Sequence, residues 1–253
     1  MRRAALVAVA VLALAGCGDD RDASGAGGPA LTVSAASSLK AAFTAYGHAF
    51  GQASTRFSFA GSDELAAQIE RGVRPDVFAA ANTTLPRQLY ERGRVERPVV
   101  FARNRLVLAV RRGGDVRALT DLERPGVTLA VGSPSVPIGA YTRTVLGRLP
   151  AARRRAILAN VRSQEPDVSG VVGKLTQGAV DAGFVYRSDV RGADAELEAI
   201  ELPEALQPSV AYGAAVVKGS EHASEARAFV DGLLGGAGRR ALADAGFEPP
   251  PGR

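Results

Sequence analysis

The sequence predicts an α/β protein of two lobes, each a mostly parallel sheet flanked by helices. Short β-rich runs alternate with segments of helical spacing along most of the chain, the pattern that builds strand-helix-strand units. The length of 253 residues accommodates one large or two medium domains with a sizeable buried core. With 46% hydrophobic and 23% charged residues, the composition is that of an ordinary globular chain and excludes disorder, collagen and a multi-pass membrane protein. A single Cys, Cys17, rules out an intrachain disulfide and a cysteine metal cluster, and two His, His48 and His222, leave little for a histidine-rich metal site.

The first residues read as an export signal. Met1-Arg2-Arg3 gives a positive start, and Ala4 to Ala15 is an apolar run of signal length, too short to span a bilayer comfortably as a mature helix. The junction Leu14-Ala15-Gly16-Cys17 resembles a bacterial lipobox, which implies a lipoprotein signal peptide over 1–16 and a lipid on Cys17. Loss of that leader removes Arg2 and Arg3, so the formal charge of +5 falls to +3. The Arg residues are scattered, with no basic stripe interleaved with aromatics, so nucleic acid is not an expected partner. Residues 17–30, rich in Gly, Asp, Ala, Ser and Pro, read as a flexible tether between the membrane anchor and the body.

In the body, Leu31-Thr32-Val33 reads as a strand, and Leu39, Ala42, Phe43, Tyr46 and Phe50 follow at helical spacing. Thr55 to Phe59 alternates like a strand; Leu65, Ala66 and Ile69 mark a helix closed by Gly72. Val77-Phe78-Ala79, Leu106 to Val110, Val127 to Val131, Ala182 to Tyr186 and Val210 to Val217 read as further strands. Helices are predicted from Val136-Pro137-Ile138, where Pro137 suits the first turn, and over Ala151–Asn160, Val171–Gln177, Glu221–Leu234 and Gly238–Ala245. The chain is expected to cross between lobes near Arg105 and Pro208, which assigns 31–104 with 209–253 to one lobe and 105–208 to the other.

Four loops place a small hydroxyl or an open backbone just before a helix: Ala36-Ser37-Ser38, Ala60-Gly61-Ser62, Val136-Pro137-Ile138 and Asp167-Val168-Ser169. A helix start offers unpaired N–H groups and partial positive charge. Several such starts aimed at one cleft make an anion site without Arg or Lys. Taken singly, each Ser reads as an N-cap. Asp63 and Asp167 adjoin these donors and are expected to face away from the cleft, stabilising helix first turns.

These segments, with Leu31-Thr32-Val33-Ser34-Ala35-Ala36-Ser37-Ser38-Leu39, Ser58-Phe59-Ala60-Gly61-Ser62-Asp63-Glu64-Leu65-Ala66, Pro75-Asp76-Val77-Phe78-Ala79-Ala80-Ala81 and Phe184-Val185-Tyr186-Arg187-Ser188-Asp189, resemble in order and spacing the periplasmic molybdate-binding proteins of ABC importers. The resemblance implies the two-lobed periplasmic-binding-protein fold with two crossing segments, closing over a tetrahedral oxyanion. It places ligand contacts on Ser38 and Ser62 through hydroxyl and backbone, on Ile138 and Val168 through backbone N–H, and on Tyr186 through its phenol. Ile138 stands where that family often has a smaller residue. The implied ligand is molybdate or tungstate, so the only metal is the molybdenum inside the oxyanion. The implied partners are an ABC permease and, through Cys17, the membrane; the chain is expected to be a monomer, without cofactor or catalysis.

Physical chemistry favours a site of neutral donors for such an ion. A desolvated dianion needs its lost hydration replaced, and hydrogen bonds to an ionised acceptor are roughly twice as strong as neutral ones. A site that offers donors alone selects an oxyanion carrying no proton, which admits molybdate, tungstate and sulfate and disfavours phosphate near neutral pH. Two alternatives stand beside this reading. One is a receptor for sulfate, thiosulfate or another small anion. The other is an exported serine hydrolase with Ser38 or Ser62 as nucleophile, for which only His48 and His222 could serve as histidine bases; no Gly-x-Ser-x-Gly motif exists, and neither serine heads a Ser-x-x-Lys motif.

Overall fold

The computed structural model describes residues 29–250. The predicted leader, Cys17 and the tether up to residue 28 lie outside them. The described strands are β1 (Ala30–Ala36), β2 (Ser54–Ala60), β3 (Val77–Ala80), β4 (Val99–Asn104), β5 (Leu106–Arg111), β6 (Leu129–Gly132), β7 (Val161–Glu165), β8 (Ala182–Tyr186), β9 (Leu197–Glu201) and β10 (Val210–Val216). The helices are α1 (Lys40–Ala49), α2 (Ser62–Glu70), α3 (Thr84–Glu91), α4 (Pro137–Gly147), α5 (Ala151–Ala159), α6 (Val168–Thr176), α7 (Arg187–Arg191), α8 (Ala223–Gly232) and α9 (Gly236–Asp244).

The strands form two five-stranded sheets, in the orders β2-β1-β3-β10-β4 and β7-β6-β8-β5-β9. Both sheets are mixed. In the first, β1 pairs in parallel with β2 and β3, whereas β10 lies antiparallel between β3 and β4. The second repeats the arrangement, with β6 parallel to β7 and β8, and β5 antiparallel between β8 and β9. Four strands of each sheet therefore point one way, and the reversed strand is the first that the chain makes after passing between sheets. One residue, Arg105, separates β4 in the first sheet from β5 in the second; the return runs from the end of β9 to the start of β10.

Periodicity accounts for the packing. The central strands β3, β5, β6 and β8 are almost wholly buried, as their unbroken apolar runs require, whereas the edge strands β2, β7 and β9 alternate between partly buried and exposed positions. Helix α1 turns Ala42, Phe43 and Tyr46 inward. Phe43 meets Phe57, Phe101 and Phe229 at ring-centroid distances of 6.2, 5.9 and 5.7 Å, tying α1 to β2, β4 and α8. Truncating such a side chain to Ala costs about 3–5 kcal/mol. No described helix is long and apolar enough to cross a membrane.

Candidate ligand-binding site

In each lobe the parallel strands end on the same side, and the loops that leave those ends start the helices. After β1 come Ser37 and Ser38, in a short 3₁₀ turn that runs into α1; after β2 come Gly61 and Ser62, starting α2; after β3 comes Ala81. In the second lobe Val136-Pro137-Ile138 start α4, Asp167-Val168 start α6, and Tyr186 closes β8. All these loops meet around one cavity of about 20 Å³, lined by Ser38, Ser62, Ile138, Val168 and Tyr186 among others. Pockets for drug-sized molecules run to about 300–1,000 Å³, so only a small solute fits here. The five residues predicted from sequence, each from a different loop, are thus brought together, and all five are buried.

The polar groups are poised to donate. Ser62 Oγ accepts the buried Ala81 N–H at 3.1 Å, which leaves the Ser62 hydroxyl hydrogen free. Ser38 Oγ lies 3.0 Å from the Tyr212 hydroxyl. The Tyr186 hydroxyl is buried without a hydrogen-bond partner, a costly state for a polar group that faces a cavity. Ser62 is the first residue of α2 and not its cap; the cap position, Gly61, has no side chain to spend on the helix. Val136, which precedes α4, makes no capping bond either. The first-turn N–H groups of these helices, including that of Ile138, have no partner within the helix and face the cavity end of the fold.

Asp167 stabilises the start of its helix as expected, but it also lines the cavity and does not lie wholly away from it. Its carboxylate caps its own helix, accepting the N–H groups of Ser169 at 2.7 Å and Gly170 at 3.2 Å and the Ser169 hydroxyl at 2.6 Å. Asp63 is not among the residues that line the cavity. The bulk of Ile138 is accommodated by Gly132 at the end of β6: a Cβ on Gly132 would stand 2.4 Å from Ile138 Cγ2. That pairing makes room for a branched side chain at the start of α4, beside the cavity.

Burial governs the ionisation of the aromatic groups. It pushes the Tyr186 phenol far above its ordinary range, reinforced by the neighbouring Tyr212 and Tyr141 and by Asp189; Tyr212 is raised in the same way. Both phenols therefore remain protonated donors. Tyr141, on α4, is pushed up to about 12, again by burial. Asp189, whose carboxylate accepts the Tyr186 N–H at 2.9 Å, is pushed up to about 7, first by burial and further by the charge of Asp167. Among the described residues, no Arg, Lys or His lines the cavity. His48 is exposed on α1 and His222 precedes α8, so neither supplies the base that a serine nucleophile would need.

Residues 31–248 match the family of bacterial extracellular solute-binding proteins. The molybdate-binding protein ModA of Mycobacterium tuberculosis is 35% identical, over 96% of this chain and 95% of its own. Among solved structures, the periplasmic molybdate-binding protein of Azotobacter vinelandii superposes with a TM-score of 0.76 at 21% identity, over 87% of this chain and 99% of that one. The sulfate-binding protein SubI of Mycobacterium tuberculosis gives 0.78 at 18% identity, over 88% of each chain. The last two establish a shared fold; the match along nearly the whole described body shows that this chain belongs to the bacterial extracellular solute-binding protein family.

Proposed function

We propose that this chain captures molybdate outside the cytoplasm, with tungstate as an equivalent ligand, and delivers it to the permease of an ABC transporter. The observation that carries the reading is the convergence of Ser38, Ser62, Ile138, Val168 and Tyr186, from both lobes, on a cavity the size of one small ion. The 35% identity to a molybdate-binding relative over 96% of the chain supports it. In this reading the serine hydroxyls, the Tyr186 phenol and the N–H groups of Ile138 and Val168 replace the hydration of a fully deprotonated tetrahedral oxyanion. The Asp167 carboxylate at the cavity is committed to the start of its own helix, so donors prevail around the ion and a protonated phosphate is disfavoured. The lobes, 31–104 with 209–253 and 105–208, close on the ion, and the closed form is what the permease reads. Closure follows from tighter binding to the closed state. The chain works as a monomer, exported by the leader over 1–16 and held at the outer face of the membrane by a lipid on Cys17 and the tether that follows.

A sulfate receptor is the second reading, favoured by the fold shared with the sulfate-binding protein. Calorimetric titration of the chain lacking residues 1–17 with molybdate, tungstate, sulfate and phosphate separates the two. Tight, comparable binding of molybdate and tungstate with sulfate and phosphate at least 100-fold weaker, about 2.7 kcal/mol apart, is the expected result. Sulfate bound as tightly as molybdate overturns it. Mass spectrometry of the mature N-terminus tests the lipid on Cys17.

A further inference from the structure

We propose that Tyr212, a residue outside the cavity lining, is a positioning residue for the oxyanion site: its phenol donates to Ser38 Oγ and so turns the Ser38 hydroxyl hydrogen toward the ligand. This rests on the reading of the cavity as an oxyanion site. Tyr212 lies on β10, fully buried, with its hydroxyl 3.0 Å from Ser38 Oγ. Its ring is held edge-on by Phe101, Tyr186 and Phe247, at 6.2, 5.7 and 5.2 Å between centroids. The hydroxyl is therefore fixed in place, and what remains to be assigned is the direction of its hydrogen bond.

Three features set that direction. A phenol is far more acidic than an alkyl alcohol, so in a Tyr–Ser pair the phenol is the better donor and the serine oxygen the better acceptor. The Asn104 side chain faces the same phenol. Its Oδ1 accepts the Arg105 N–H at 2.9 Å and its Nδ2 donates to Ser188 Oγ at 2.8 Å, so its one acceptor is already engaged and the phenolic hydrogen is left for Ser38. Finally, Ser62 shows the same design with a different donor, since the Ala81 N–H fills a lone pair of its Oγ. In both serines an internal donor occupies the oxygen, and the hydroxyl that receives a hydrogen bond becomes a stronger donor in turn, by roughly 10–30% in condensed phase. Without Tyr212, Ser38 is free to rotate and to present its oxygen as an acceptor. Tyr212 thus contributes to affinity for molybdate and to rejection of hydrogenphosphate without touching either.

The test is a double-mutant cycle on the full-length chain, with Tyr212→Phe, Ser38→Ala and the pair, titrated with molybdate and with phosphate. Tyr212→Phe keeps the ring packing and should weaken molybdate about tenfold, the scale of one charge-assisted hydrogen bond. It should also narrow the molybdate-to-phosphate ratio and have less than a twofold effect in the Ser38→Ala background. A Tyr212→Phe chain that binds within twofold of the parent, or that loses as much affinity with Ser38 already gone, overturns the proposal while the oxyanion reading stands. A parent chain that binds no oxyanion overturns both. A second readout is independent of any variant's folding: in the parent, the Tyr212 hydroxyl proton should exchange slowly with solvent and show close contact to Ser38 by proton NMR. A fast-exchanging hydroxyl without that contact also overturns the proposal.

Discussion

The carbonyl oxygen of Pro166 lies 2.6 Å from the point that a Cβ on Gly61 would occupy. Gly61 leads into α2 in the first lobe and Pro166 precedes Asp167 at the start of α6 in the second, so the two lobes touch where residue 61 has no side chain. Its φ of −59° is open to any residue, so what glycine supplies here is room. A methyl group would meet a backbone carbonyl that cannot swing away, and Asp63 Oδ1 at 2.9 Å.

Gly61→Ala should therefore hold the lobes apart. If the closed form falls from dominant to about a tenth of the population, apparent affinity falls about tenfold, because binding is discounted by the competent fraction. The expected result is a tenfold or greater loss of molybdate affinity by calorimetry, with little change in the melting temperature of the ligand-free chain. Parent-like affinity would show that the contact does not limit closure.

Ser62 carries two duties, and Ser62→Ala should reveal both. The Ala81 N–H is buried and loses its acceptor, a loss of about 1–3 kcal/mol, which for a chain of this size lowers the melting temperature by roughly 2–4 °C per kcal/mol. Affinity for molybdate should fall as well. Thermal melts with and without ligand separate the two effects: destabilisation without ligand reports the internal bond, and a smaller ligand-induced rise reports the lost contact.

Much of this site was legible in sequence because it lies at helix starts. Pro137 at the first turn of α4 and Asp167 at the cap of α6 are local signals, and strand-to-helix alternation found β1, β2 and β8, with the end of β8 at Tyr186 but β1 read three residues short of Ala36. Other elements left no such mark. Helix α3 and strands β4, β7 and β9 are short, polar or irregular in pattern, and α7 is a single short turn. The reversed directions of β5 and β10 follow from where the chain passes between sheets, which periodicity does not encode. Tyr212 was hidden for the same reason. Within β10 it reads as one more buried strand residue, and its partner Ser38 is 174 positions away.

Tyr186 offers a test in which stability and binding should move apart. Its hydroxyl is buried without a partner, so Tyr186→Phe removes an unsatisfied polar group and leaves the ring edge-on to Tyr141 and Tyr212. The ligand-free chain should be as stable as the parent or gain up to about 1 kcal/mol. Molybdate affinity should nonetheless fall about tenfold, the loss of one hydrogen bond to an ionised acceptor. A clear drop in the melting temperature of the ligand-free Phe variant would mean that the hydroxyl is satisfied within the protein, and the phenol would lose its place in the site.

Asp189 should make both folding and binding depend on pH. Burial raises its carboxyl to about 7, with the charge of Asp167 adding to the effect and the Tyr186 N–H opposing it. In the unfolded chain an Asp titrates near 3.9. Between about pH 4 and 7 the folded chain therefore holds a proton that the unfolded chain has released, so stability declines as pH rises through that window and levels off above it. The full loss is on the order of 4 kcal/mol at most, from about three units of difference. An oxyanion near Tyr186 disfavours ionised Asp189, so ligand binding should draw a proton onto it and molybdate affinity should decline as pH rises above 7. Asp189→Asn keeps an oxygen for the Tyr186 N–H and removes the charge. Melting temperatures from pH 4 to 8 and titrations from pH 6 to 8.5 should show both slopes in the parent and neither in the Asn variant. Equal slopes in the two chains would place the titrating group elsewhere, since the raised phenols of Tyr186 and Tyr212 do not ionise in that range.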